Sequence, residues 1–187
     1  MSAITDLWLP ILVSGVGVFF ASFLAWMVLP HHKGDFKQFK SEGAVLDALR
    51  PQGLAPGTYI YPDCQGPAMK TEEGKQRYAA GPWGVILVHG GPANFGRNLV
   101  LVFAFYVVVS VLVAYVARLA LPDGASFMNV FRIAGTAGAM AYALGGIPNA
   151  IFFGRTGRSI AMDTLDGVAF GLLTGAIFGW FWPGTAA

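Results

Sequence analysis

Four long apolar runs dominate the chain, separated by polar stretches of very unequal length. Leu7 to Leu29 contains no charged residue, Leu99 to Leu121 is charged only at Arg118, and Phe127 to Phe153 only at Arg132. Leu165 to Trp182 is shorter, with Asp166 at its entrance. A helix needs about 17–25 mainly apolar residues to cross the hydrocarbon of a bilayer. The spacing therefore predicts an all-α membrane protein: a bundle of four transmembrane helices at 1–29, 99–121, 127–153 and 165–182, with a polar region at 30–98. The first run does not read as a cleaved signal. Asp6 rather than a basic residue precedes it, and the polar, basic stretch His31 to Lys37 follows as a stop-transfer flank would.

Pro122 to Ser126 is a tight turn, so the second and third spans are expected to be antiparallel neighbours, with Ser126 placed to cap the third. The link to the fourth span is also short. Within the polar region, Ser41 to Arg50 predicts a short helix with Val45, Leu46 and Leu49 on one face, stopped before Pro51. Lys70 to Tyr78 predicts a second. Gly57 to Pro62 alternates like a strand, and Trp83 to Val88 is an apolar run too short to span. These two segments are expected either to pair as a small β-hairpin or, for the second, to dip into the membrane interface. About sixty residues rarely build a sufficient core alone, so the region is expected to rest on the bundle, on headgroups or on a partner.

The fourth span carries Gly167, Gly171, Gly175 and Gly179. Residues four apart share a helix face, and a stripe of small residues lets membrane helices approach closely. Gly135, Ala139 and Ala143 in the third span, and Gly17, Ala21 and Ala25 in the first, are the expected acceptors. The second span is bulky all round, which suits lipid or another subunit. Gly145-Gly146-Ile147-Pro148-Asn149 is expected to kink the third span.

Composition sharpens this picture. Charged residues make up 12% of the chain and the mean hydropathy is +0.58, against roughly 25% charged in soluble domains. A soluble enzyme domain and a disordered chain are both excluded. A net charge of +2 leaves no basic stripe for nucleic acid, and the single cysteine, Cys64, excludes an internal disulfide. Ten of the 12 Lys and Arg residues fall in the connections 30–98 and 154–164. The positive-inside rule makes that side cytoplasmic and puts both termini in the periplasm. Trp8, Trp83, Trp180 and Trp182 lie near span ends, as depth anchors would.

Candidate chemistry is sparse. His31, His32 and His89 could ligate a metal, haem or pigment. Adjacent histidines are expected to diverge, however, and no ligand spacing supports them, so an interfacial polar flank with neither metal nor cofactor is the expectation. Arg118 and Arg132 flank the turn bearing Asp123 and are expected to snorkel and pair with Asp123 or with lipid phosphate. Asp163 and Asp166 are expected to open the fourth span as carboxylates at a helix N-terminus, with Arg155 and Arg158 nearby. No ionisable group is expected near mid-membrane, which argues against a pump or coupled transporter.

His31-His32-Lys33-Gly34-Asp35-Phe36, Gly57-x-Tyr59-x-Tyr61-Pro62 and Gly81-Pro82-x-Gly84 together resemble a group of uncharacterised four-span bacterial inner-membrane proteins. The resemblance implies a bacterial inner-membrane location and the four-span plan, and carries no activity. By elimination, the expected function is a non-catalytic accessory subunit docked on a larger respiratory or photosynthetic membrane complex. A small oligomeric channel or carrier is the first alternative. A protein holding haem, pigment or metal is the second.

Overall fold

The computed structural model describes residues 4–63 and 66–184; Cys64 lies outside them. Four helices are long and apolar enough to cross a membrane: Ile4–Val28, Phe95–Ala120, Phe127–Phe152 and Gly157–Trp180. The chain divides into two compact units, one containing these helices and one made mainly of residues 37–94.

In the helical unit, α1 (Trp8–Phe23) is entered through a 3-10 turn and leaves through a π turn, Leu24–Val28. The second span is α4 (Phe95–Ala120). The third is α5 (Phe127–Ala139), continued by a π turn at Met140–Leu144, a bend at Gly145–Gly146 and α6 (Ile147–Phe152). The interruption thus begins at Met140, ahead of the glycine pair. Ser126 occupies the N-cap position of α5 without a side-chain hydrogen bond.

The fourth span, α7 (Gly157–Trp180), differs most from expectation. It starts eight residues before Leu165. Thr156 caps it, its hydroxyl accepting from the Ser159 amide at 3.2 Å. Charged residues hid this first stretch from a reading based on apolar length. In consequence Asp163 and Asp166 do not open the helix. Asp166 stands nine residues in, about 13 Å along the axis, beyond the first turn to which the helix dipole confines its effect.

The glycine stripe of α7 lies against α5 and its π turn. A Cβ on Gly167 would meet the Ala143 backbone at 2.6 Å, and one on Gly175 would meet Gly135 at 2.8 Å. At Gly171 a Cβ would collide with Ala139, and at Gly179 with the Phe127 ring at 2.8 Å. Two rows at matching four-residue spacing therefore run backbone to backbone. Gly17 of α1 faces Ile177 and Leu173 of α7, while Gly15, which the sequence did not single out, faces Val107 of α4. Ser14 and Thr174, both fully buried, bridge α1 and α7 by a hydroxyl hydrogen bond of 3.2 Å, a polar link of the kind that helps hold membrane helices together.

The main core sits at the end of the bundle that carries the 122–126 turn. It comprises Leu7, Val113, Ala117, Val130, Phe178 and Trp182, with smaller residues between them. Trp182 is not a surface anchor: it is 2% exposed, and its indole N–H donates to the Pro122 carbonyl at 3.0 Å. Trp8 and Trp180 are exposed. Arg118 pairs with Asp123 at 2.6 Å and lies over the Trp182 ring. Arg132 is exposed and forms no ion pair among the described residues.

In the second unit, β1 (Gly57–Tyr61) and β2 (Gly84–Val88) form an antiparallel two-stranded ribbon with Tyr59 opposite Ile86. Helices α2 (Glu42–Leu49) and α3 (Glu72–Ala80) complete it. Thr71 caps α3 through the Gly74 amide, whereas Ser41 at the start of α2 makes no side-chain cap. His89 is exposed just beyond β2.

Candidate functional site

At the other end of the bundle, where α1 runs into the long connection, polar side chains gather in one place. Leu29 is extended and Pro30 opens a 3-10 turn through His32, a position where the missing N–H of proline leaves no donor unsatisfied. This turn carries both histidines to the flank of α7. They do not diverge. His31 Nε2 lies 3.1 Å from each Asp166 oxygen, and His32 Nε2 lies 2.8 Å from Asp166 Oδ2.

The other ring nitrogen of His32 is also engaged. Nδ1 donates to Asp35 Oδ2 at 2.6 Å. The Asp35 side chain is 1% exposed, and its second oxygen accepts from Arg158 Nη1 at 3.1 Å. Arg158 Nη2 also donates to the His31 carbonyl at 2.7 Å, clamping the 3-10 turn onto α7. Arg155 pairs with Asp163 and Ser159. The His32 ring is stacked on Trp26 of the π turn, with centroids 3.9 Å apart and planes within 4°.

Charge explains the protonation preferences. Three carboxylates, Asp35, Asp163 and Asp166, face two guanidiniums, Arg155 and Arg158, leaving one negative charge for a proton or a cation to balance. Burial opposes charging of His32, which is 4% exposed, but the hydrogen bonds and charges of Asp35 and Asp166 outweigh it and raise its pKa above the ordinary 6.5. The hydrogen bond from His32 is the main reason that Asp35 lies below its ordinary 3.8; burial opposes this, and the charges of His32 and Arg158 assist it.

Two triads of ligand atoms are close enough to share an ion: His31, His32 and Asp166, and His32, Asp35 and Asp163, each within 4.8 Å. The first fits a metal better. Ligand atoms on a tetrahedral ion with bonds of about 2.0–2.1 Å stand about 3.3 Å apart; the N···O separations here are 2.8–3.1 Å, hydrogen-bond distances that would open slightly around an ion. In that triad His32 presents Nε2 while Asp35 accepts from Nδ1–H, the arrangement that fixes tautomer and orientation in metal-ligating histidines. In the second triad His32 would have to give up that hydrogen bond.

Beside the cluster lies a cavity of about 260 Å³, with Asp163 and Asp166 on its polar side and Trp26, Tyr106, Tyr142 and Phe170 among its aromatic walls. α4 contributes Phe105 and Tyr106 to its lining, and the interrupted third span contributes Tyr142, Gly146 and Ile147. Both π turns contribute to it through Trp26 and Tyr142, and such turns recur at functional sites.

Of the residues singled out from sequence, His31, His32, Asp163, Asp166, Arg155 and Arg158 thus come together, while His89 belongs to the other unit. Asp35 and Trp26 were missed as site residues. The His32–Asp35 spacing of three was a readable signal; the Trp26 stack depends on the π turn and was not. No known protein family, curated protein or solved structure matches the chain.

Proposed function

We propose that this is a multi-pass membrane protein that holds a divalent transition-metal ion through His31 Nε2, His32 Nε2 and the Asp166 carboxylate. The observation carrying this reading is the convergence of both Nε2 atoms on one carboxylate that is itself placed inside a span. An ionisable residue within a membrane helix is expensive and marks function by default. Two imidazoles and one carboxylate suit zinc, iron(II) or cobalt(II), leaving at least one position for a further ligand. Asp35 and Trp26 orient His32, and Arg158 orients Asp35. By the distribution of Lys and Arg the site faces the cytoplasm, with both termini on the opposite side; the resemblance implies that the membrane is a bacterial inner membrane.

The test is a cobalt(II) titration of the full chain, purified in detergent and stripped with chelator, followed by visible absorption. One saturating equivalent is expected, lost in His32→Gln and in Asp166→Asn. Absence of saturable uptake, or uptake unchanged in those variants, overturns the proposal.

Docking on a larger membrane assembly is the second reading. It is favoured by α4, where Val100, Leu101, Phe105, Val108, Leu112, Tyr115 and Leu119 are all more than half exposed. Native electrophoresis after gentle extraction separates the outcomes. A high-mass band containing other chains supports docking, and migration as this chain alone overturns it.

A further inference from the structure

The unit built from residues 37–94 has no interior. Among its described residues Gly74 alone is buried, so the hydrophobic burial that stabilises a domain is missing. Its exposed apolar side chains include Phe39, Leu46, Met69 and Tyr78 and a contiguous row on the ribbon. The register sets Ile60 opposite Val85 and Thr58 opposite Leu87, and alternation along each strand puts all four on one face. On that face Leu87 is 61%, Ile60 45% and Val85 37% exposed. Trp83, immediately before β2, is 60% exposed, and its indole N–H is already satisfied by the Tyr78 carbonyl at 2.7 Å.

Both ends of this unit continue into apolar helices. Six residues separate Val88 from Phe95, the first residue of α4, which limits their separation to about 25 Å even when fully extended. Eight residues separate Val28, the end of the first span, from Lys37. These tethers limit how far the ribbon can travel from the ends of the spans.

We propose that this face of the ribbon, Ile60, Val85 and Leu87 with Trp83 at its end, beds into the boundary between headgroups and acyl chains of the bilayer that the helices cross. Lipid is the occupant that both tethers bring within reach, and it supplies the apolar cover that the unit lacks internally. An amphipathic tryptophan ring at the edge of the face is suited to that layer. Attraction to anionic lipid contributes little. Residues 37–94 hold six Lys and Arg against five Asp and Glu, and Lys75, Arg77 and Arg50 are paired with acidic neighbours. This inference is independent of the metal reading.

The test uses the full chain in phosphatidylcholine vesicles, with Cys64→Ser as background and nitroxide labels introduced by Leu87→Cys or, on exposed α3, Gln76→Cys. Power-saturation electron paramagnetic resonance compares access of oxygen, which concentrates in lipid, with that of a water-soluble nickel chelate. The Leu87 label is expected to favour oxygen and the Gln76 label the chelate, with no change on adding phosphatidylglycerol. As a label-free readout, brominated phosphatidylcholine should quench wild-type fluorescence more than that of Trp83→Phe. A Leu87 label as open to the chelate as the Gln76 label overturns the proposal. So does one shielded from both reagents, which would indicate a second copy or another protein on the face.

Discussion

His32 lies flat on Trp26, centroids 3.9 Å apart, while its two nitrogens reach Asp35 and Asp166 on opposite edges. Ring plane and both edges are thus fixed by three neighbours. A raised His32 pKa favours an imidazolium between the two carboxylates; on the proposed reading a metal would replace the Nε2 proton alone and leave the Nδ1–H···Asp35 bond intact.

Asp35 should therefore act on affinity without touching the ion. Asp35→Asn is expected to weaken metal binding about 10–100-fold, the usual effect of losing a carboxylate behind a ligating histidine, with stoichiometry unchanged. Competition against a chromophoric chelator measures this.

Protonation gives a signed pH prediction. His32 has a raised pKa, so its contribution to metal-free stability is complete below its ordinary 6.5 and is lost as pH rises through the higher folded value. Asp35 is lowered, so its contribution is present above 3.8 and is lost as pH falls through the lower folded value. Thermal melts of metal-free protein should fall in midpoint as pH rises above 6.5, and His32→Gln should flatten that slope. Metal affinity should run the other way over the same range, because binding releases the proton.

Gly171→Leu should separate α7 from α5, at a cost of about 1–3 kcal/mol or more for overpacking a tight contact. Gly145→Ala, with nothing within 4 Å of the added carbon, should have little effect. Thermal denaturation in detergent compares them.

At the far end, Asp123→Asn should change stability by less than about 1 kcal/mol, since Asp123 is half exposed and exposed pairs are weak. Trp182→Ala should cost about 3–5 kcal/mol through the cavity it leaves. The same melts measure both.

What was legible in the sequence follows the physics of each feature. Apolar length marks four spans because lipid demands it, alternation marks the ribbon, and the spacing of small residues marks the α5–α7 contact. The start of α7 was hidden because Arg155, Arg158, Asp163 and Asp166 look like a boundary when counted as charges. They are tolerated in and beside a helix because they neutralise one another and the histidines. The cluster itself depends on a π turn at Leu24–Val28 and a 3-10 turn at Pro30–His32, departures from helical period that no periodicity reading contains.

The most direct measurement is zinc K-edge X-ray absorption on the zinc-loaded full chain. The account predicts a first shell of nitrogen and oxygen at about 2.0–2.1 Å with the outer-shell scattering of two imidazole rings, falling to one ring in His31→Gln. A spectrum lacking imidazole scattering, or one unaltered by that substitution, would contradict it.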